Sequence, residues 1–233
     1  MATYGIIGRF YQIAALLLAL AGLLAQPATA GAAPAPPAGG GPLILAFGDS
    51  LTAGYRLKPG EGFAPQLESA LRQQGVAASV HNAGVSGDTT AQGRARLGWV
   101  LSSLPRQPDL VIVALGANDM LRGQPPAATQ ANLDAIVGAL RQRGIPVVVA
   151  GMRAAPNMGA DYARAYAAVF PAVAKKQGAF IYPFFLDGVA AQPGLLLDDG
   201  KHPNAAGVQV MVKNILPTVT SALKPPHRSR GKR

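Results

Sequence analysis

The sequence predicts an α/β fold built on a parallel β-sheet covered on both faces. Residues 110–115 (LVIVAL) and 146–150 (PVVVA) are continuous apolar runs without alternation, as expected of strands buried on both sides. Stretches with helical spacing separate the strand candidates, which leaves room for the crossovers that parallel pairing requires. Polar, small or glycine-rich residues follow several of the strands. In such a sheet the ligand crevice lies beyond the carboxyl ends of the strands.

Each element has its own local reason. Residues 43–47 (LILAF) form a short apolar run that ends at Gly48. Residues 62–74 carry apolar side chains at Phe63, Leu67, Ala70 and Leu71, a helical face, and Gly75 is a stop signal. Residues 77–80 read as a weak strand and 91–104 as a helix. The run at 110–115 is the strongest strand signal. Residues 127–140 are helical, with Gly144 as terminator, and 146–150 form the next strand. Residues 162–177 are helical, 179–182 a strand, and 205–223 a last helix. An interruption is expected near Pro217, because proline lacks the N–H that a helix interior needs.

The 233 residues suit one domain with flanking segments. Arg9, the apolar run at 13–25 and the small residues Ala28, Thr29 and Ala30 read as an export signal over residues 1–30. A retained membrane anchor is the rival, but a span needs about 20 apolar residues, and extending the run backward meets Gln12 and Arg9. Residues 31–42, nearly all Ala, Gly and Pro, form a linker. The domain spans residues 43–223, and residues 224–233 (KPPHRSRGKR) form a basic low-complexity tail. That tail is either a solvated end or a weak contact for anionic lipid and other polyanions. The net charge of +10 is concentrated at the ends: residues 43–223 hold all 11 acidic and 15 of the 21 basic residues. A globally basic surface for nucleic acid is not implied. With no cysteine, a disulfide scaffold, thiolate metal site, cysteine nucleophile and lipidated N-terminal cysteine are excluded.

Chemistry is sought after the strands. Ser50, where the first strand turns toward a helix, is the leading nucleophile, though a serine there can also simply cap a helix. A serine hydroxyl needs a neighbouring base. His227 lies in the basic tail and His81 at the end of the second strand, where a structural or surface role is expected. His202 differs. Asp199 precedes it by three residues, Gly200 allows a tight turn and Pro203 fixes the exit. An aspartate so placed can set the tautomer and orientation of a basic imidazole. The alternatives are a plain surface turn, or a metal site on Asp198, Asp199 and His202 that lacks a further histidine or glutamate nearby. Candidate oxyanion donors are the backbone N–H groups of Ser50 and Gly87 and the side-chain amide of Asn118. Ser86 is a poor nucleophile candidate, because Gly84-Val85-Ser86-Gly87-Asp88 lacks the second glycine of a Gly-x-Ser-x-Gly elbow. Phosphate-loop and dinucleotide fingerprints are missing after the first strand.

Four ordered blocks, LAFGDSLTAGY (45–55), NAGVSGDTT (82–90), LGANDMLRG (115–123) and DDGKHPNAAG (198–207), resemble those of the GDSL, or SGNH, hydrolases. The nearest subgroup is the bacterial periplasmic arylesterase and multifunctional thioesterase/lysophospholipase type. Gly-Asp-Ser alone is a weak signal; the four blocks in order are specific and span the whole core. The resemblance implies a three-layer α/β/α sandwich with a five-stranded parallel, flavodoxin-like sheet. It implies Ser50 as nucleophile, His202 as base and Asp199 as its orienter, with an oxyanion hole from Ser50, Gly87 and Asn118. It implies that Asp49 supports the nucleophile turn. It also implies that the stretch after Asn118, with Asp119, Leu121 and Arg122, borders the acyl pocket.

The expected activity is hydrolysis of ester bonds through an acyl-enzyme, with no cofactor or metal needed. Short-chain or aryl esters are the first substrate class, followed by long-chain thioesters or lysophospholipids, then acetylated polysaccharide. The reading from another class is an exported binding protein on the same fold. An intact Ser50, Asp199 and His202 set argues against it, since a binder needs none of the three.

Overall fold

The computed structural model describes residues 40–224. The residues read as an export signal, nearly all of those read as a linker, and the tail beyond Lys224 lie outside the described residues.

Five parallel strands form the sheet: β1 (Leu43–Gly48), β2 (Ser79–Gly84), β3 (Leu110–Ala114), β4 (Val147–Ala150) and β5 (Phe180–Tyr182), in the order β2-β1-β3-β4-β5. β1, β3 and β4 are buried along their whole length, which is why their sequences do not alternate. Among the described residues seven α-helices accompany them, the last following β5: α1 (Ser50–Ala53), α2 (Phe63–Gln73), α3 (Thr90–Ser103), α4 (Ala117–Leu121), α5 (Pro126–Gln142), α6 (Ala160–Gln177) and α7 (Ala205–Leu223). α2 packs on α7, whereas α3 packs on α5 and α5 on α6. Helices thus cover both faces in a three-layer sandwich, as expected from the sequence. The core joins the sheet to fully buried side chains of these helices, among them Phe63, Leu67, Leu133, Ile136, Phe170 and Ile215.

The chain leaves β1 first toward β2 and then crosses to β3 on its other side. This reversal puts the switch point of the sheet between β1 and β3, where α/β sheets place their ligands. The ends are in register there: Gly48 pairs with both Gly84 and Ala114. Gly84 is needed for close approach, because a Cβ on it would lie 2.2 Å from the backbone nitrogen of Ala53. A side chain at this position would push α1 off the sheet edge.

Three local readings are corrected. β2 occupies Ser79–Gly84 rather than 77–80, because its ladder with β1 continues to the paired glycines. α1 and α4 were not foreseen, since four or five residues show no period. α7 runs unbroken through Pro217. The proline forfeits one backbone bond, but fully buried Ile215 and Val219 flank it and hold that face in the core. Thr220 Oγ1 also donates to the carbonyls of Leu216 and Pro217, each at 3.0 Å.

Candidate active site

The turn after β1 is set by Asp49. Its backbone N–H donates to the Ala114 carbonyl at 3.3 Å, and its buried carboxylate accepts from Leu51 N–H at 3.0 Å. Asp49 is therefore the cap of α1, and Ser50 is its first residue. Ser50 does not spend its hydroxyl as a helix cap, so that plain alternative falls away. Burial pushes the Asp49 carboxyl up to about 7; the Leu51 N–H opposes the rise, while Asp88 and Asp119 add to it.

The loop before α7 closes on itself. Leu197 N–H donates to the His202 carbonyl at 2.8 Å and Asn204 N–H to the Leu195 carbonyl at 2.9 Å. Asn204 then caps α7 by accepting from Gly207 N–H at 3.0 Å. Within the loop, Asp199 Oδ1 accepts from the backbone N–H groups of Lys201 and His202 at 2.9 and 3.0 Å. Its Oδ2 lies 2.7 Å from His202 Nδ1. These backbone donors, with the imidazole, hold the Asp199 carboxyl well below the usual carboxylate range. The ionised carboxylate can only accept, so the proton is on Nδ1. Nε2 faces Ser50 Oγ at 2.9 Å, where it can accept the hydroxyl proton. Hydroxyl, imidazole and carboxylate thus form one continuous chain from residues 152 positions apart. A metal reading of Asp198, Asp199 and His202 meets a competing fact: the Asp198 carboxylate is held by Arg56 and both His202 ring nitrogens are engaged.

The other predicted donors gather at the same edge. Gly87 follows β2 at φ +86°, a left-handed conformation that suits glycine. Among the described residues no hydrogen-bond acceptor engages its N–H or that of Ser50. Asn118, on α4, donates one amide N–H to the Asp88 carbonyl at 3.0 Å, which fixes the amide and leaves its second N–H free to donate. Asp88 is itself anchored. Arg96 Nε donates to its carboxylate at 2.6 Å, and Arg96 Nη2 donates to the Gly48 carbonyl at 2.9 Å, with the guanidinium 4.2 Å over the Phe47 ring. One arginine therefore links the end of β1, two residues before Ser50, the loop bearing Gly87 and, through Asp88, the amide of Asn118. The sequence reading missed this network; the Asp–Arg spacing of eight residues is not a local motif.

The stretch expected to border the acyl pocket divides. Leu121 is 55% exposed on α4. Arg122 is also exposed and donates to the Gly87 carbonyl at 2.7 Å. Asp119 is corrected: it is buried, and its carboxylate accepts from the Thr90 N–H at 2.8 Å and from the Thr90 hydroxyl. It ties α4 to the start of α3 rather than facing substrate, because adjacent residues of a helix point about 100° apart. Ser86 and His81 are exposed and join no triad; His227 lies outside the described residues.

The sequence profile of the GDSL-like lipase/acylhydrolase family matches residues 46–210. The chain belongs to this family. It is a serine hydrolase acting on ester bonds. An arylesterase of Vibrio mimicus is 39% identical over 160 residues, covering 69% of this chain and 79% of that protein. The "Thioesterase 1/protease 1/lysophospholipase L1" of Escherichia coli K12 is 37% identical over 161 residues, 69% of this chain and 75% of its own length. The crystal structure of AlinE4, described as an SGNH-hydrolase family esterase, shares 48% identity at a TM-score of 0.68, covering 80% of this hydrolase and 99% of AlinE4.

Proposed function

We propose that this hydrolase is an exported esterase that works through a Ser50-His202-Asp199 triad and an acyl-enzyme. The hydrogen-bonded chain from Asp199 through His202 to Ser50 Oγ carries the reading. Ser50 Oγ attacks the ester carbonyl carbon while its proton passes to His202 Nε2. Asp199, ionised and locked by two backbone donors, stabilises the resulting imidazolium and keeps its orientation. The oxyanion receives the N–H groups of Ser50 and Gly87 and the free N–H of the Asn118 amide. The C–O bond to the leaving alcohol then breaks, and the alcohol takes the proton from Nε2. A water deprotonated by the same nitrogen attacks the acyl-enzyme and releases the acid and Ser50. Export rests on the leader read at residues 1–30, and N-terminal sequencing of the extracytoplasmic protein tests it.

Short-chain or aryl esters are the proposed substrates. A lysophospholipase or long-chain thioesterase activity is the second reading. Exposed apolar side chains at Val85 and Leu121 favour it, since they flank the oxyanion residues Gly87 and Asn118 in sequence and offer a surface for an acyl chain. A chain-length series of p-nitrophenyl esters, beside lysophosphatidylcholine and with Ser50→Ala as control, tests both. Activity peaking at short acyl chains supports the first reading. A peak at long chains with lysophosphatidylcholine turnover supports the second. Undiminished turnover by folded Ser50→Ala overturns the mechanism.

A further inference from the structure

We propose that Arg56 and Asp198 form a latch that positions His202 on Ser50; the proposal rests on the triad reading above. Arg56 Nη1 donates to Asp198 Oδ1 at 2.6 Å and Nη2 to Oδ2 at 3.2 Å. Both fork nitrogens meet both carboxylate oxygens, the bidentate geometry that defines direction as well as distance. The partners are 142 residues apart in the chain, yet each sits beside a triad element. Asp198 immediately precedes Asp199. Arg56 follows Tyr55, whose backbone N–H donates to the Ser50 carbonyl at 3.2 Å and whose ring centroid lies 4.5 Å from that of His202. The contacts close a loop: Ser50 to Tyr55 and Arg56, across to Asp198, through Asp199 and His202, and back to Ser50.

Two further facts point to positioning rather than to support of the fold. Arg56 adopts φ +58°, a left-handed conformation that is uncommon for a residue other than glycine and that gathers at functional sites. The pair is also well exposed, at 49% and 73% of side-chain surface, and such a pair adds little to stability. Among the described residues, the hydrogen bonds of residues 198–202 that reach beyond their own loop go only to Arg56 and Ser50. Without the latch, Asp199 and the loop's own bonds still orient His202 within its loop, but the ties from that loop to the Ser50 segment would rest on the Ser50 contact itself and the Tyr55 ring. Arg56 and Asp198 are positioning residues; neither touches the reacting atoms.

The test is steady-state kinetics of the full chain on p-nitrophenyl acetate for Arg56→Ala, Asp198→Ala, the double variant and Arg56→Lys, with Ser50→Ala in parallel. Each single variant is expected to lower kcat by about two- to fivefold, the range that an exposed ion pair supports, with KM and Tm essentially unchanged. The double variant should be no slower than either single one, because both remove the same contact. Arg56→Lys should recover only part of the loss, since an ammonium cannot make the fork. The ratio of wild-type to Arg56→Ala kcat should also shrink toward one as salt screens the pair. Wild-type kcat in both single variants, or losses that multiply in the double variant, would overturn the latch. Should Arg56→Ala misfold, Asp198→Ala decides alone, since that side chain is exposed. A dead Ser50→Ala beside normal latch variants removes only the latch, whereas an active Ser50→Ala removes the triad reading beneath it.

Discussion

Replacing Asp49 with asparagine separates the two jobs of this carboxylate. Asparagine caps a helix about as well as aspartate, so the bond from Leu51 N–H is retained and only the charge is lost. In the native protein burial raises the Asp49 pKa from 3.8 to about 7, and among the described residues its buried Oδ2 has no hydrogen-bond partner. The folded state thus holds the Asp49 proton more tightly than the unfolded chain. The stability this confers is fully present below pH 3.8, declines as pH rises toward 7, and is gone above it. Each pH unit between the two values is worth ~1.4 kcal/mol. From pH 5 to pH 8 the wild type should therefore lose roughly 3 kcal/mol that the Asp49→Asn protein keeps. Urea unfolding followed by far-UV circular dichroism, at several pH values, measures the difference. Fluorescence is a poor probe, since Trp99 is 72% exposed. Parallel stability curves for the two proteins would refute the claim that burial raises the Asp49 pKa in the folded state.

Other outcomes follow from the same structure. Asn118→Ala removes one of the proposed oxyanion donors and should lower kcat for ester hydrolysis by about 100- to 1000-fold with little change in KM; a loss seen mainly in KM would make Asn118 a binding residue instead. Arg96→Met leaves the Asp88 carboxylate, only 8% exposed, without its cation. It should cost about 3 kcal/mol of stability and also reduce kcat, readable by thermal unfolding and initial rates; unchanged kcat would restrict Arg96 to the fold. Leu133→Ala, at a fully buried position of α5, should cost about 3 kcal/mol in urea unfolding while leaving kcat unchanged at a temperature where the variant is folded.

Much of the molecule was legible in the sequence because its signals are local. Continuous apolar runs named β3 and β4, and the polar segments after the strands converge at the reversal of strand order. Asp199 and His202 could be paired from spacing alone, since one turn lets a carboxylate reach both the backbone and the imidazole. What escaped was non-local or too short to have a period. α1 and α4 are one-turn helices fixed by their surroundings. The Arg56–Asp198 and Arg96–Gly48 contacts join distant segments, so no window of sequence contains them. The family resemblance placed Asp119 at the pocket, but the turn of α4 directs it inward onto Thr90 while Asn118 reaches the Asp88 carbonyl. Pro217 was expected to interrupt α7, and the burial of Ile215 and Val219 outweighed the lost bond.

A fluorophosphonate probe bonds covalently to a serine whose hydroxyl is activated by a neighbouring base, so mapping its adduct by mass spectrometry reads the central contact most directly. The wild-type protein should carry one adduct, on Ser50, and His202→Ala should acquire it at least about 100-fold more slowly. An adduct elsewhere, or labelling of Ser50 at the same rate without the imidazole, would contradict the account.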